Sequence, residues 1–147
     1  MKETIPSASI ASPWPSRFRW LLGVLLLFTG TSHLTWARAE FSAQVPPWLP
    51  LDTDLVVLLS GIVEIGLGLA LIFLSKYRVK VGWIVAAFFV LIFPGNISQF
   101  VHRIDAFGLN SDAMRAARLL LQPVFVAWSL WSTGAWSTWR KRKGQEA

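Results

Sequence analysis

The sequence predicts an all-α integral membrane protein, a four-helix bundle with both termini in the cytoplasm. Apolar residues make up 54% of the 147 residues and gather in four runs. Each run approaches the roughly 20 residues that a membrane-spanning helix requires. Lys and Arg flank these runs mainly on one side, and a single glutamate stands in the middle of the second run.

The predicted elements follow one another with short connections. The spans are expected at about 18–36, 55–74, 80–101 and 116–139, within a transmembrane domain of residues 17–140. Residues 1–16 are rich in Ser, Ala and Pro and are predicted to form a disordered leader, whereas residues 141–147 form a basic cytoplasmic tail. Residues 41–54 are interpreted as an extended cap, because their three prolines forbid a helix.

Charge bias predicts the orientation of the spans. The positive side holds Lys2, Arg17, Arg19, Lys76, Arg78, Lys80, Arg140, Lys141, Arg142 and Lys143. Most acids fall on the other side: Glu40, Asp52, Asp54, Asp105 and Asp112. The positive-inside rule then predicts a multi-pass protein of the cell (cytoplasmic) membrane. Alternatively, residues 1–39 are a cleaved signal peptide, which leaves the orientation of the other spans unchanged.

Glu64 is the only ionisable residue in the run at 55–74. Near the membrane midplane a charged carboxylate costs at least roughly 2.5–3.5 kcal/mol, so such a group normally faces a bundle interior. At 1.5 Å per residue, Glu64 is expected about 15 Å from the start of its helix. It is interpreted either as a structural clasp to Arg118 or Gln122, or as an acid that serves a binding site.

Polar residues of all four spans are predicted to lie in the outer half of the bilayer. The candidate ligand-binding or proton-exchange residues are Glu64, Asn96, Gln99, Arg118, Gln122 and His33. Together they predict a polar cleft that opens to the outer face and has Glu64 at its floor. Alternatively, Asn96 and Gln122 form hydrogen bonds between helices, and His33 lies at the membrane interface.

Two prolines inside the predicted helices shape this cleft. Pro94 and Pro123 are expected to kink the third and fourth spans at matching depth. A lipid-soluble ring is therefore expected to enter the cleft between these two spans.

Several functional classes are disfavoured by composition. The chain has no cysteine, which excludes disulfides, thiol chemistry and Cys-ligated metals. Its positive charges flank apolar runs instead of alternating with exposed aromatics, so no nucleic-acid partner is expected. No nucleophile–base set, metal cluster or cofactor motif is visible, and an independent enzyme or a resident metal is not expected.

Five motifs occur in a recognisable order: Gly30-Thr31-Ser32-His33, Val45-Pro46-Pro47-Trp48-Leu49-Pro50, residues 59–68, Phe93-Pro94-Gly95-Asn96-Ile97 and Arg118-Leu119-Leu120-Leu121-Gln122. In this order they resemble the DoxX-like family of small four-helix membrane proteins. That pattern usually has Ala at the position of Gly95 and Pro at that of Leu120. The resemblance implies an association with quinone-linked oxidoreductases or oxidative-stress assemblies.

Two classes of function follow as expectations. In the first, the protein is an accessory subunit of a membrane redox assembly, with a membrane or peripheral redox protein as partner. Its cleft then holds a quinone headgroup between Glu64, Asn96, Arg118 and Gln122, because Arg and amide groups donate to carbonyls. In the second, the same cleft serves a small proton-coupled transporter of a polar solute, and a structural scaffold is a further alternative. The apolar inner half disfavours transport.

Overall fold

The computed structural model describes residues 13–146, in which it has six α-helices and no strand. The helices are α1 (Trp14–Leu34), α2 (Arg38–Ser42), α3 (Thr53–Phe73), α4 (Arg78–Val101), α5 (Asp112–Ser132) and α6 (Ala135–Gln145), with a 3-10 turn at Ser75–Tyr77. The all-α prediction is confirmed. Residues 1–12 of the predicted leader and residue 147 of the predicted tail lie outside the described residues.

All four long helices begin two to four residues before their predicted starts, and for α1, α3 and α5 the local chemical reason is visible. Pro15 lies in the first turn of α1, where its missing N–H has no helical partner to lose. The Asp52 carboxylate accepts the Leu55 N–H at 2.9 Å and caps α3. The Ser111 hydroxyl accepts the Met114 N–H at 3.3 Å and caps α5.

The fourth predicted helix is broken instead of continuing to residue 139. α5 ends at Ser132, and Gly134 follows in the left-handed region at a φ of +76°. Its N–H donates to the Trp131 carbonyl at 3.1 Å. Because glycine adopts this conformation without a side-chain clash, the chain turns there and starts α6. α6 includes residues 141–145, which the sequence predicts as a tail, and residues 14–16 of the predicted leader are likewise helical.

Glycines allow α1 and α3 to pack with their backbones almost in contact. A Cβ built on Gly30 would lie 2.7 Å from the Gly61 carbonyl oxygen, and one built on Gly68 would lie 2.7 Å from that of Gly23. On each helix the two glycines are seven residues apart. Because Gly30 meets Gly61 and Gly23 meets Gly68, the two helices run antiparallel. This close approach determines which side chains of α1 and α3 contact one another between the two glycine pairs.

The four long helices, α1, α3, α4 and α5, lie side by side, and each packs against two of the others. At the end where α1 begins and α3 ends, the Arg19 guanidinium donates to the Leu71 carbonyl. At the same end, Trp128 of α5 donates from Nε1 to the Phe18 carbonyl at 3.0 Å. Thr133, which precedes α6, packs against Gly82 near the start of α4. The cationic residues within 17–19 and 76–80 therefore lie at the same end of the fold as the start of α6, the helix that carries those at 140–143.

Among the described residues, only α3 and the helical segment Ser75–Val101 are long and apolar enough to cross a membrane. α1 and α5 have the same length as α3 but do not meet that criterion. Large apolar side chains are nevertheless exposed on all four helices, for example Phe28, Phe73, Leu91 and Leu120. Apolar surface of this extent commonly marks contact with a membrane or a partner protein. The two apolar helices are a weak indication of membrane association.

Candidate ligand-binding cavity

A cavity of about 650 Å³ lies among α1, α3, α4 and α5, next to the segment that follows α2. Its volume falls within the range of roughly 300–1,000 Å³ that small-molecule sites occupy. The walls are mostly apolar, and every long helix adds polar side chains: Thr29, His33, Ser60, Glu64, Asn96, Arg118 and Gln122. Five of the six predicted site residues thus line one cavity.

Gln99 is the predicted site residue that does not line the cavity. Its side chain is only 1% exposed. Its Nε2 donates to the Ile104 carbonyl, and its Oε1 accepts from Gln44 Nε2, both at 3.3 Å. Gln99 therefore joins the α4–α5 connection to the segment after α2 instead of facing a ligand.

Glu64 forms a buried polar cluster with α1. Its Oε2 lies 2.6 Å from the Thr29 hydroxyl and 3.8 Å from His33 Nδ1. The same Nδ1 lies 2.8 Å from the Thr29 carbonyl oxygen, which can only accept. Nδ1 must therefore carry the hydrogen, so the other ring nitrogen of a neutral His33 remains an acceptor. The predicted clasp of Glu64 to Arg118 or Gln122 is not formed.

Thr29 can pair with Glu64 in either protonation state. Its hydroxyl lies within reach of the Leu25 carbonyl, at 3.1 Å, as well as of the carboxyl group. An ionised Glu64 accepts the hydroxyl hydrogen. A protonated Glu64 donates to the hydroxyl oxygen, whose own hydrogen then turns to Leu25. Because neither state leaves a buried O–H without a partner, the cluster is suited to exchange a proton.

Arg118 and Asn96 leave donors directed to the cavity that they line. Arg118 Nε donates to Asn96 Oδ1 at 3.0 Å. The described residues provide no acceptor for the terminal guanidinium nitrogens of Arg118 or for the amide nitrogen of Asn96. Gln122 is used differently, because its Nε2 donates to the Phe89 carbonyl at 3.0 Å. The polar end of the cavity thus combines the donors of Arg118 and Asn96 with the acceptors of Glu64 and His33.

Aromatic side chains connect the two halves of this polar end. His33 stacks on Phe41 of α2, with ring centroids 3.3 Å apart. Phe41 meets Phe107 edge to face at 4.6 Å, and the Arg118 guanidinium lies 4.8 Å from the centroid of Phe107. Phe107 has a φ of +56°, which costs a non-glycine residue roughly 1–3 kcal/mol. The surrounding contacts hold this ring against Arg118 despite that cost.

The α4–α5 connection that carries Phe107 is anchored by Arg115. This buried guanidinium donates to Asp105 at 2.6 Å, to the Leu109 carbonyl at 2.9 Å and to Asp112 at 2.9 Å. The hydrogen bond from Arg115 lowers the pKa of Asp112 below its ordinary value of 3.8. Asp112 also lies at the start of α5, where a negative charge is favoured.

Exposed apolar side chains line the cavity on α3, on α4 and in the segment between α2 and α3, which includes Trp48 and Leu51. Leu59 and Val63 of α3 line it while remaining 51% and 45% exposed, and Leu91 of α4 lines it with 76% exposure. α3 and α4 also pack less extensively than α4 and α5 do. These exposed residues favour an entrance between α3 and α4 over the predicted one between the third and fourth spans, where Gln122 of α5 is hydrogen-bonded to the Phe89 carbonyl of α4.

Sequence reasoning missed Thr29, Gln44 and Phe41 as cavity residues. Thr29 could have been found, because it precedes His33 by one helical turn and shares its face. Gln44 and Phe41 depend on tertiary contact. A Cβ on Gly95 would lie 2.9 Å from the Gln44 carbonyl oxygen, so this glycine allows the segment after α2 to approach α4.

A protein-family model described as Domain of unknown function (DUF8561) matches residues 22–133. No curated protein and no solved structure matches the chain. The prediction from the motifs that the chain belongs to the DoxX-like family is wrong, because the family model that matches is a different one. Every residue that lines the cavity lies within the matched range. The chain therefore belongs to the family of this domain of unknown function, DUF8561.

Proposed function

We propose that the protein is a multi-pass integral membrane protein whose α1, α3, α4 and α5 form a transmembrane four-helix bundle. The length and apolar composition of α3 and of Ser75–Val101 support this proposal. The exposed apolar side chains on all four helices support it as well. By the positive-inside rule, the end that collects the cationic segments faces the cytoplasm. The span of α5 begins near residue 116, so Asp112 and Arg115 lie outside the membrane.

The cavity of this bundle binds a lipid-soluble molecule with a neutral carbonyl headgroup, of the quinone class. One observation carries the proposal: the free donors of Arg118 and Asn96 share a cavity with the Glu64 cluster, and that cavity opens through an apolar gap. Carbonyl oxygens accept from such donors, and the apolar walls accommodate the ring and tail. A ligand of this kind enters from the bilayer between α3 and α4 without crossing water.

The proposed role is that of an accessory subunit in a membrane redox assembly. The protein holds the quinone, while a membrane or peripheral redox partner supplies the electrons. Glu64, Thr29 and His33 exchange the proton that a reduced carbonyl oxygen takes up, and the short distances among these three side chains support this role.

A proton-coupled transporter is less well supported. Buried apolar side chains fill the other half of the bundle, namely Leu22, Leu71, Val81 and Val85, and Leu26 and Phe89 of the same cluster line the cavity next to them. A polar solute would have to pass this cluster, and alternating access usually needs helices that separate around a central site. Binding from the membrane requires no such opening.

The proposal is tested by the quinone content of protein purified gently from native membranes. We expect substoichiometric quinone in the lipid extract, well above that of an unrelated four-helix control protein. Leu59→Trp narrows the entrance and should lower the content several-fold. Leu69→Trp is the matched control, because Leu69 is exposed on the same helix but does not line the cavity. Quinone equal to that of the control protein, with stabilisation by a water-soluble solute instead, would favour the transporter.

A further inference from the structure

A second groove, of about 690 Å³, lies between α4 and α5 and extends to the start of α6. Its walls include Phe93 of α4, Pro123, Ala127 and Trp131 of α5, and Trp136 of α6. All of these side chains are apolar or aromatic, and none belongs to the polar cluster around Glu64. The groove thus differs in chemistry from the cavity described above.

The junction between α5 and α6 is fixed next to this groove. Ala135 is fully buried and packs with Ala86 and Leu130. Gly82 of α4 leaves space for the Thr133 side chain, which a Cβ at that position would overlap. Because these contacts hold the first turn of α6 against α4, Trp136 has a defined position at the end of the groove.

α6 places a cluster of positive charge directly beyond the groove. Residues 140–143 are Arg, Lys, Arg and Lys, and the described residues form no ion pair with any of them. Trp139 connects the cations to the groove. Its ring lies 5.3 Å from that of Trp136, and Lys143 Nζ lies 4.8 Å from its centroid.

We infer that the groove and α6 together bind one anionic phospholipid of the cytoplasmic leaflet. An acyl chain lies along the groove, and the phosphate contacts the cations at 140–143. Leu130 follows Pro123 by seven positions, so this part of the groove is about 10 Å long at 1.5 Å per residue. With the Trp136 end added, it approaches the roughly 15 Å of hydrocarbon in one leaflet. An apolar contact combined with a polybasic segment is a known way to hold an anionic lipid.

The charge of α6 favours a lipid over a second copy of the chain in this groove. A symmetric dimer through this face would bring two clusters at 140–143 to the same membrane depth, where like charges repel. A phosphate neutralises the cluster instead. The inference rests on the membrane placement proposed above but not on any ligand of the Glu64 cavity, so either can fail alone.

The test is native mass spectrometry of the full chain in detergent with phosphatidylglycerol or phosphatidylcholine of identical acyl chains. We expect one retained phosphatidylglycerol, preferred over phosphatidylcholine by roughly fivefold or more. Ala127→Phe fills the groove and should remove both adducts. Ile84→Phe is the control, because Ile84 is exposed on α4 outside the groove. Replacing all four cations at 140–143 by Gln should keep the adduct and abolish the preference.

Each alternative gives a distinct result. Equal lipid retention by the Ala127→Phe and Ile84→Phe variants would mean that lipid binds only around the whole bundle, which overturns the inference. Dimers that disappear in Ala127→Phe, without any lipid preference, would identify the groove as an interface between copies and overturn it as well. The four cations lie on the exposed part of α6, so the charge experiment remains decisive even if the groove variant fails to fold.

Discussion

Arg118 donates from Nε to Oδ1 of Asn96 across 3.0 Å and does not pair with Glu64. The acid is hydrogen-bonded from α1 instead, by the Thr29 hydroxyl, and His33 Nδ1 lies 3.8 Å away. The glycine contacts between α1 and α3 explain the difference, because they bring Thr29 within 2.6 Å of the carboxyl group. The terminal nitrogens of the Arg118 guanidinium are thereby left available to the cavity.

This arrangement predicts which pairs of residues are energetically coupled. In double-mutant cycles measured by unfolding in detergent, Glu64→Gln with Thr29→Val should show a coupling of about 0.5–3 kcal/mol. Glu64→Gln with Arg118→Gln should be closer to additive, because the two groups share a cavity but no hydrogen bond. A larger coupling for the Arg118 cycle would show that an ionic clasp dominates.

Gly61 is predicted to be intolerant of even one methyl group. Its Cβ would lie 2.9 Å from the Gly30 carbonyl oxygen, so Gly61→Ala should lower the free energy of unfolding by about 1–3 kcal/mol. Gly66→Ala on the same helix is the control. A Cβ there meets nothing within 4 Å, and the substitution should be neutral or stabilise by up to about 1 kcal/mol. Equal effects in a detergent melt would contradict the close packing of α1 and α3.

The anchor at Arg115 predicts a specific loss of stability in acid. The hydrogen bond from Arg115 lowers the pKa of Asp112 in the folded protein below 3.8, its ordinary value. The pair therefore contributes stability fully above that ordinary pKa, and the contribution is lost as the pH falls through the lower, folded value. Between pH 5 and pH 2, the melting temperature of the wild type should fall more than that of Asp112→Asn. If the melting temperatures of the wild type and of Asp112→Asn fell equally over this pH range, the pair of Arg115 and Asp112 would contribute no pH-dependent stability.

The proposed topology predicts the position of each connection. Reporter fusions after Lys80 and after Gln145 should register the cytoplasm, and a fusion after Asp54 should register the outside. Mass spectrometry of the mature chain is the accompanying control. If the mature chain began at Glu40, α1 would be removed, and the cavity would lose Thr29 and His33. An external signal after Lys80 would contradict the topology.

The sequence predicted the helical class and the approximate bounds of α3 and α4, because long apolar runs allow few other structures. It did not predict the break at Gly134. Trp136 and Trp139 continue the apolar pattern of α5, and only the left-handed φ of the glycine shows where the helix ends. The short helix α2 was missed because it depends on contacts with neighbouring segments.

The candidate site was predictable in part. Depth along each helix indicated that Glu64, Asn96 and Arg118 would converge, and all three line the cavity. Their hydrogen-bond partners were not predictable, because these depend on how far each helix is rotated about its axis. Gln99 shows that a shared helix face does not by itself identify a cavity residue. It follows Asn96 by three residues, yet its side chain is hydrogen-bonded to Gln44 on a different segment.

Binding of a quinone headgroup by Arg118 and Asn96 is tested most directly with a short-tail benzoquinone and the purified full chain in detergent. At a free concentration about a hundredfold above Kd, binding should stabilise the wild type by about 2.7 kcal/mol in a thermal melt. The double variant Asn96→Leu with Arg118→Gln, checked first for an intact unliganded melt, should show no shift. Leu69→Trp should respond like the wild type. No shift in the wild type, or an equal shift in the double variant, would contradict the proposed site.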